Sequence, residues 1–484
     1  MIRDSSLSLA LLLLFATNAN AQSPKQFGES PALKGGHKGG GSVPNAILER
    51  FFTGAAAGDV FGFSVASAGD VNGDGYSDII IGAYLNDAGG TDAGRAYIYF
   101  GGAIINNVAD VILTGHAATD VFGYSVAGAG DVNGDGYSDV IVGAYGSDSG
   151  AFNAGRAYLF LGGSSMNNVA DVTFTGVAAN DNLGFSVAGA GDVNGDGYSD
   201  VIVAAHRNDA GGVDAGRAYV YFGGSSMDNT VDVTLTGAAA GDQFGVSVAS
   251  AGDVNGDGFA DVIVGGFLND TGGADAGRAY IFHGGGSMDN IADVTLTGAA
   301  AGDFFGFSVA SARDVNGDGY SDVIVGAYLN DAGGADAGQA YLYLGGPSMD
   351  NTADATFTGA AAGDFFGVSV ASAGDVNGDG YPDIIVGAQW NDAGGADAGR
   401  AYMYLGGPQL DNIVDAIFTG TGISNRFGRS VASAGDVNND GYGDIIVGAY
   451  LNDDGGADAG KAYLYLNSLT GADIPDEFFT GVAA

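Results

Sequence analysis

A chain of 484 residues with 90 glycines, 7 prolines and 46% hydrophobic side chains is neither a collagen nor a disordered linker, and it has ample length for a large core. Its 15 Lys and Arg stand against 57 Asp and Glu, a formal charge of −42 that argues against nucleic acid and anionic membrane as partners and favours cations. With no cysteine, neither disulfide staples nor thiol chemistry is available.

In chain order, residues 1–21 read as a signal peptide. Arg3 supplies a basic start (weakened by Asp4), Leu7 to Phe15 a short apolar run, and Ala19-Asn20-Ala21 a small-x-small cleavage site before Gln22. Residues 22–45, rich in Gly, Pro, Ser and Lys, read as a disordered leader or tether. No later segment reaches the ~18 continuous apolar residues of a membrane span. The mature protein is therefore expected to be secreted or held at the cell surface.

Residues 46–484 are repetitive. The string that begins at Asp70 (DVNGDGYSD) returns with small changes at Asp131, Asp192, Asp253, Asp314, Asp375 and Asp436, each step being 61 residues. Within the first unit four strand-like segments follow one another: Phe63–Ala68, Ile79–Ala83, Ala96–Phe100 and Val111–Thr114. All are short, rich in β-branched, aromatic or small residues, and separated by Gly, Asp and Asn clusters. Four strands per unit and seven units predict an all-β fold, a seven-bladed β-propeller of four-stranded antiparallel blades. Side-chain size gives the radial order. Ser, Ala and Gly in the first segment suit the crowded axis, the second is aliphatic throughout, and tyrosines in the third suit the wider gaps between blades. Closure is left open, because Phe51-Phe52-Thr53-Gly54 returns as Phe478-Phe479-Thr480-Gly481, seven repeat lengths later. That makes eight copies of the outer-strand segment for seven blades.

An aromatic-Gly pair (Phe61-Gly62 and its counterparts, with Leu183-Gly184 the one departure), an acidic loop, an aliphatic run and Gly82-Ala83 make up each unit. This pattern resembles the FG-GAP repeat of the integrin α-subunit head over residues 51–484. Bacterial surface proteins with such repeats, and a fungal calcium-containing propeller lectin, are similar. The resemblance implies a seven-bladed propeller with calcium in the hairpin loops between first and second strands. All seven units here carry a complete acidic loop, where integrins usually have three or four. The residue after Gly-Ala, usually Pro in integrins, is here mostly aromatic. No leg-like domains follow, so the resemblance does not imply pairing with a β-subunit.

The loop itself, D-x-N-x-D-G-x-x-D, is the front half of an EF-hand with Asp at position 9 in place of the distant Glu. Its oxygen-only donors favour Ca²⁺ over zinc or copper. The first loop offers Asp70, Asn72, Asp74, the Tyr76 carbonyl and Asp78. The second offers Asp131, Asn133, Asp135, Tyr137 and Asp139; the third Asp192, Asn194, Asp196, Tyr198 and Asp200. The fourth offers Asp253, Asn255, Asp257, Phe259 and Asp261; the fifth Asp314, Asn316, Asp318, Tyr320 and Asp322. The sixth offers Asp375, Asn377, Asp379, Tyr381 and Asp383; the seventh Asp436, Asn438, Asp440, Tyr442 and Asp444. Pro382 and Asn439 depart from the consensus at non-ligand positions, so about seven structural ions are expected.

On the opposite face, Tyr84, Tyr145, His206, Phe267, Tyr328, Gln389 and Tyr450 recur where the second strand ends, with Trp390 beside Gln389. They could form a ring around the mouth, as candidate ligand contacts, or plug gaps between blades. Arg95 and its counterparts are expected to pair with Asp87 or Asp92. No catalytic constellation stands out: the four histidines sit in dissimilar contexts, and the ordered carboxylates belong to the loops. Three readings stay open. The first is a secreted, monomeric calcium-binding adhesion or recognition module taking a glycan or protein on the non-calcium face. The second is a calcium-dependent polysaccharide lyase or hydrolase using the irregular blades 3 and 6, and the third is a structural surface-layer or matrix protein.

Overall fold

A computed structural model describes residues 47–467, and all of its regular structure is β-strand. The stretches expected to be a signal peptide (1–21) and a leader (22–45), and the C-terminal copy at Phe478–Gly481, lie outside these residues.

Seven separate four-stranded antiparallel sheets follow the seven repeats. In the first blade the strands run from the inside out as Val65–Gly69, Asp78–Ala83, Arg95–Tyr99 and Val111–Thr114. The second strand is buried at every residue, which is why it is continuously Ile and Val flanked by Gly and Ala. Each hydrophobic core lies between two neighbouring blades. Ile80, Ile98 and Leu113 of the first blade, for example, meet Phe122, Val140, Val142 and Tyr158 of the second.

Close approach of neighbouring blades explains the Phe-Gly and Gly-Ala pairs. A Cβ on Gly82 would stand 2.0 Å from the carbonyl oxygen of Gly123 in the next blade, so only hydrogen fits there. Serines then stitch the inner strands together. The backbone N–H of Val187 donates to Ser125 Oγ at 3.1 Å, and this bond is made at six of the seven junctions, including Val65 N–H to Ser430 Oγ at 3.2 Å; between the first two blades Ser64 Oγ donates to the Gly123 carbonyl at 3.0 Å.

The structure answers the closure question. The outer strand of the seventh blade is the N-terminal segment Ile47–Thr53, paired antiparallel to Lys461–Asn467 in register Ile47↔Asn467 to Thr53↔Lys461. Its Phe52 is 1% exposed and packs on Tyr99 of the first blade, with ring centroids 4.3 Å apart. The ring is thus sealed by the two ends of the described chain.

Two outcomes are expected. Phe52→Ala should cost roughly 3–5 kcal/mol, the usual range for emptying a core aromatic, read as a lowered denaturation midpoint. Truncation after Asn467 should leave the midpoint unchanged, since the N-terminal strand already fills the seventh blade. A large loss on truncation would mean that the C-terminal copy takes part in closure.

Candidate functional site: an acidic loop face and an aromatic mouth

The acidic loops and the mouth lie at opposite ends of the inner strands. Every loop is a tight turn closed on its own amides. In the first, Asp70 Oδ1 accepts the N–H of Gly73 at 2.7 Å and of Asp74 at 3.0 Å, while its Oδ2 accepts that of Gly75 at 2.9 Å. Asn72 Oδ1 accepts from Asp74 N–H and Asp74 Oδ1 from Tyr76 N–H. Loops two to six repeat this set, beginning with Gly134 N–H on Asp131 Oδ1; the seventh keeps the bonds from Asp440, Gly441 and Tyr442, while Asn439 stands in place of the glycine with a left-handed φ of 57°.

Position 9 is different in kind. Asp78 is fully buried; its Oδ2 accepts Val71 N–H at 2.9 Å and its Oδ1 accepts Gly101 N–H at 2.8 Å. Burial raises its pKa to about 7 against those hydrogen bonds, and the charges of Asp74 and Asp70 push the same way. Asp139, Asp322 and Asp383 also rise to about 7, Asp200 and Asp261 to about 6, and Asp444 to about 8. Among the described residues no three acidic side chains converge as a metal cluster. Yet the donor chemistry fits a hard cation: oxygen ligands only, and a buried carboxylate crowded by its own neighbours.

Neighbouring loops touch. Tyr137 lies on Gly73 of the preceding loop, where a Cβ would stand 2.5 Å from its ring. The N–H of Ser138 donates to the Asp70 carbonyl at 2.9 Å, and five further bonds of this kind run around the ring, for example from Ser77 to Asp436. The link is missing between the fifth and sixth loops, because Pro382 has no N–H. At the same junction Arg313, with φ of 61°, replaces a glycine that in four other blades faces a serine of the next loop, as Gly69 faces Ser138.

The other end carries the predicted ring. Tyr84, Tyr145, Phe267, Tyr328 and Tyr450 are half-buried, His206 and Gln389 are buried, and Trp390 is exposed. Inside it is a second ring that sequence reading missed: Phe63, Tyr124, Phe185, Val246, Phe307, Val368 and Arg429. The two rings interlock, Phe63 meeting Tyr84 at 4.6 Å and Tyr124 meeting Tyr145 at 4.6 Å. The inner ring kept the 61-residue spacing but changes residue type from blade to blade, so it read as ordinary strand. Trp390 carries the guanidinium of Arg426 on one face at 3.4 Å, and Arg426 also pairs with Asp397 at 3.2 Å.

One expectation fails. Arg95 pairs with neither Asp87 nor Asp92; its Nε donates across the strand pair to Thr114 Oγ1 at 3.2 Å, as Arg217 does to Thr236. Asp87 Oδ1 instead accepts the N–H of Asp92. Lys461 alone of this set finds a carboxylate, Asp454 at 2.7 Å.

Seven four-stranded blades, each with a nine-residue acidic loop between its two inner strands, define a repeat-built β-propeller. The FG-GAP repeat family matches at residues 61–99, 122–160, 183–221, 244–282, 305–343, 366–404 and 427–465, and the chain belongs to that family. Integrin alpha-5 of Xenopus laevis is 34% identical over 217 residues, 43% of this chain and 20% of its own length. Mouse integrin alpha-IIb is 39% identical over 168 residues, 32% and 16% of the two chains. Integrin alpha-PS2 of Drosophila melanogaster is 32% identical over 244 residues, 47% and 17%. This chain therefore spans a fifth or less of those subunits. Among solved structures, BBS1N, crystallised in complex with ARL6DN, is similar with a TM-score of 0.52 over 89% of this chain and 98% of its own, at 11% identity, a likeness of fold alone.

His206 gives a pH test of the mouth. It is 4% exposed, lies 3.8 Å from the Phe185 ring, and its Nδ1 has no hydrogen-bond partner. Burial, with Arg207 beside it, lowers its pKa to about 3. As pH falls below about 6.5 the unfolded chain takes up a proton that the folded one refuses. This residue alone should then cost about 2 kcal/mol at pH 5, and its full penalty only below pH ~3. His206→Phe, the counterpart of Phe267, should gain stability relative to the parent as pH drops from 7.5 to 5 at fixed calcium. A stability difference that stays constant across that range would mean His206 titrates like a solvated histidine.

Proposed function

We propose that this chain is an exported, calcium-loaded propeller acting as an adhesion or recognition module, with its ligand, a protein or a glycan, taken at the aromatic mouth. The observation that carries the reading is where the repetition breaks. The seven acidic loops are nearly identical. The two mouth rings are not: His206, Gln389 with Trp390, Val246, Val368 and Arg429 each differ from their counterparts. A scaffold requires sameness, and a ligand of lower symmetry requires difference. The integrin relatives support the same class of role, and residues 1–21 as an export signal with 22–45 as a tether complete it. Trp390 and the half-buried ring tyrosines offer flat faces for stacking at low entropic cost.

Calcium belongs to the scaffold in this reading. Asp70, Asn72, Asp74, the Tyr76 carbonyl and Asp78, with their six sets of counterparts, would hold it and relieve the repulsion among the loop carboxylates. Seven divalent ions would cut the formal charge from −42 to −28. Extracellular calcium modules commonly bind at ~10⁻⁴ to 10⁻³ M. At tenfold excess each site then contributes about 1.4 kcal/mol, and seven independent sites about 10 kcal/mol, comparable with a whole domain's net stability.

Millimolar chelator should therefore lower the melting temperature steeply, and added calcium should restore it. An unmoved melting curve would remove calcium from the reading. For the ligand, the purified chain should be tested on panels of immobilised glycans and extracellular proteins, in parallel with Trp390→Ala. Binding lost in the variant while calcium content and melting temperature hold supports the mouth. Binding that survives the substitution argues against it, and absence of binding across both panels argues against a recognition module.

A further inference from the structure

Arg429 is out of place. At the corresponding position the other blades put Phe63, Tyr124, Phe185, Val246, Phe307 or Val368, so one guanidinium stands in a ring of uncharged aromatic and aliphatic side chains at the axis. It lies over the face of Phe63, 4.4 Å from the ring centroid. Among the described residues it has no ion pair and no hydrogen bond, in a chain where acids outnumber bases 57 to 15. Arg426 has Asp397, Lys461 has Asp454 and Arg95 has Thr114. The cavity beneath, about 270 Å³, is lined by the inner ring and by serines one residue further in, from Ser64 to Ser430, and by no carboxylate. Six of those serine oxygens already accept a backbone N–H from the next blade, as Ser369 does from Val431 at 3.1 Å, which leaves the hydroxyl proton free to donate; Ser64 instead donates its own to the Gly123 carbonyl at 3.0 Å.

Unpaired guanidinium donors over an apolar rim, backed by hydroxyl donors, make up the chemistry of an anion site. We propose that the axial mouth binds a single carboxylate carried on an apolar or aromatic stem, with Arg429 as its counter-ion and the serine ring as supplementary donors. The size of the cavity limits the occupant to a group the size of one side chain. The surrounding negative charge selects against polyanions. The opposite arrangement, a cation bound in the aromatic ring, is disfavoured because Arg429 already occupies it. Two sources present this chemistry, a free organic acid and an acidic side chain of a protein ligand. The proposal goes beyond the adhesion reading and does not require it, since a ligand held by the outer ring alone would leave this cavity unused.

Saturation-transfer NMR and calorimetry in calcium-containing buffer would test it with benzoate, with neutral benzamide, and with the blocked tripeptide acetyl-Gly-Glu-Gly-amide. Saturable benzoate binding without benzamide binding is expected. Arg429→Gln should weaken it about tenfold or more, as loss of a charge-assisted contact of this kind implies, with the melting temperature retained. Arg429→Lys, which keeps the charge, should weaken it less, and this comparison serves if the Gln variant does not fold. Tripeptide binding sensitive to Arg429→Gln identifies an acidic side chain as an accepted source; binding of benzoate alone restricts the site to free acids. Failure of both probes to bind the parent protein, equal binding of benzoate and benzamide, or benzoate binding unchanged in Arg429→Gln would overturn the proposal.

Discussion

The buried carboxylate at the start of each second strand organises its blade. Asp78 reaches back to the amide of Val71 and outward to the amide of Gly101, so one side chain joins the acidic loop to the connection between third and outer strands. It does so at zero exposure, where an unpaired carboxylate would be costly. With that bond made, the loop closes on its own amides and the next loop settles against it through Tyr137 and Ser138. The propeller's lower face is therefore a belt of linked turns, interrupted once, between the fifth and sixth loops, where Pro382 has no N–H to give.

Repetition made the architecture readable from the sequence. A 61-residue period with four strand segments leaves few ways to bury seven aliphatic second strands, and the small residues of the first strand mark the axis. Two things resisted reading, for different physical reasons. Closure was ambiguous because Phe51–Gly54 and Phe478–Gly481 are the same four residues, and a strand's local propensity does not say which copy meets its partner. The partner of Arg95 was misjudged because distance along a loop is a poor guide across a sheet: Thr114 is nineteen residues away in sequence but opposite in register.

The candidate sites divide in the same way. The acidic loops were legible because each such turn closes on itself, its side-chain oxygens and the amides they accept from lying within nine residues. The inner mouth ring was illegible because its members are 61 residues apart and share a place but no chemistry. Such a ring exists only once the blades close, which is why Arg429 drew no notice in the sequence and stands out in the fold. Variation among otherwise identical repeats was the one signal that could have found it.

Closure by the N-terminal strand has a mechanical consequence. Ile47 and Asn467 are register partners, so both ends of the described chain emerge side by side next to the acidic loops, where Asn467 N–H meets Asp444. The mouth points the other way. If the chain is held from its N-terminal side and pulled through a ligand at the mouth, tension runs along Ile47–Thr53, and its bonds to Lys461–Asn467 are sheared together. Pulled instead by its two ends, the same strand pair is peeled one bond at a time from Ile47. The propeller should resist traction on a bound ligand far better than separation of its own termini.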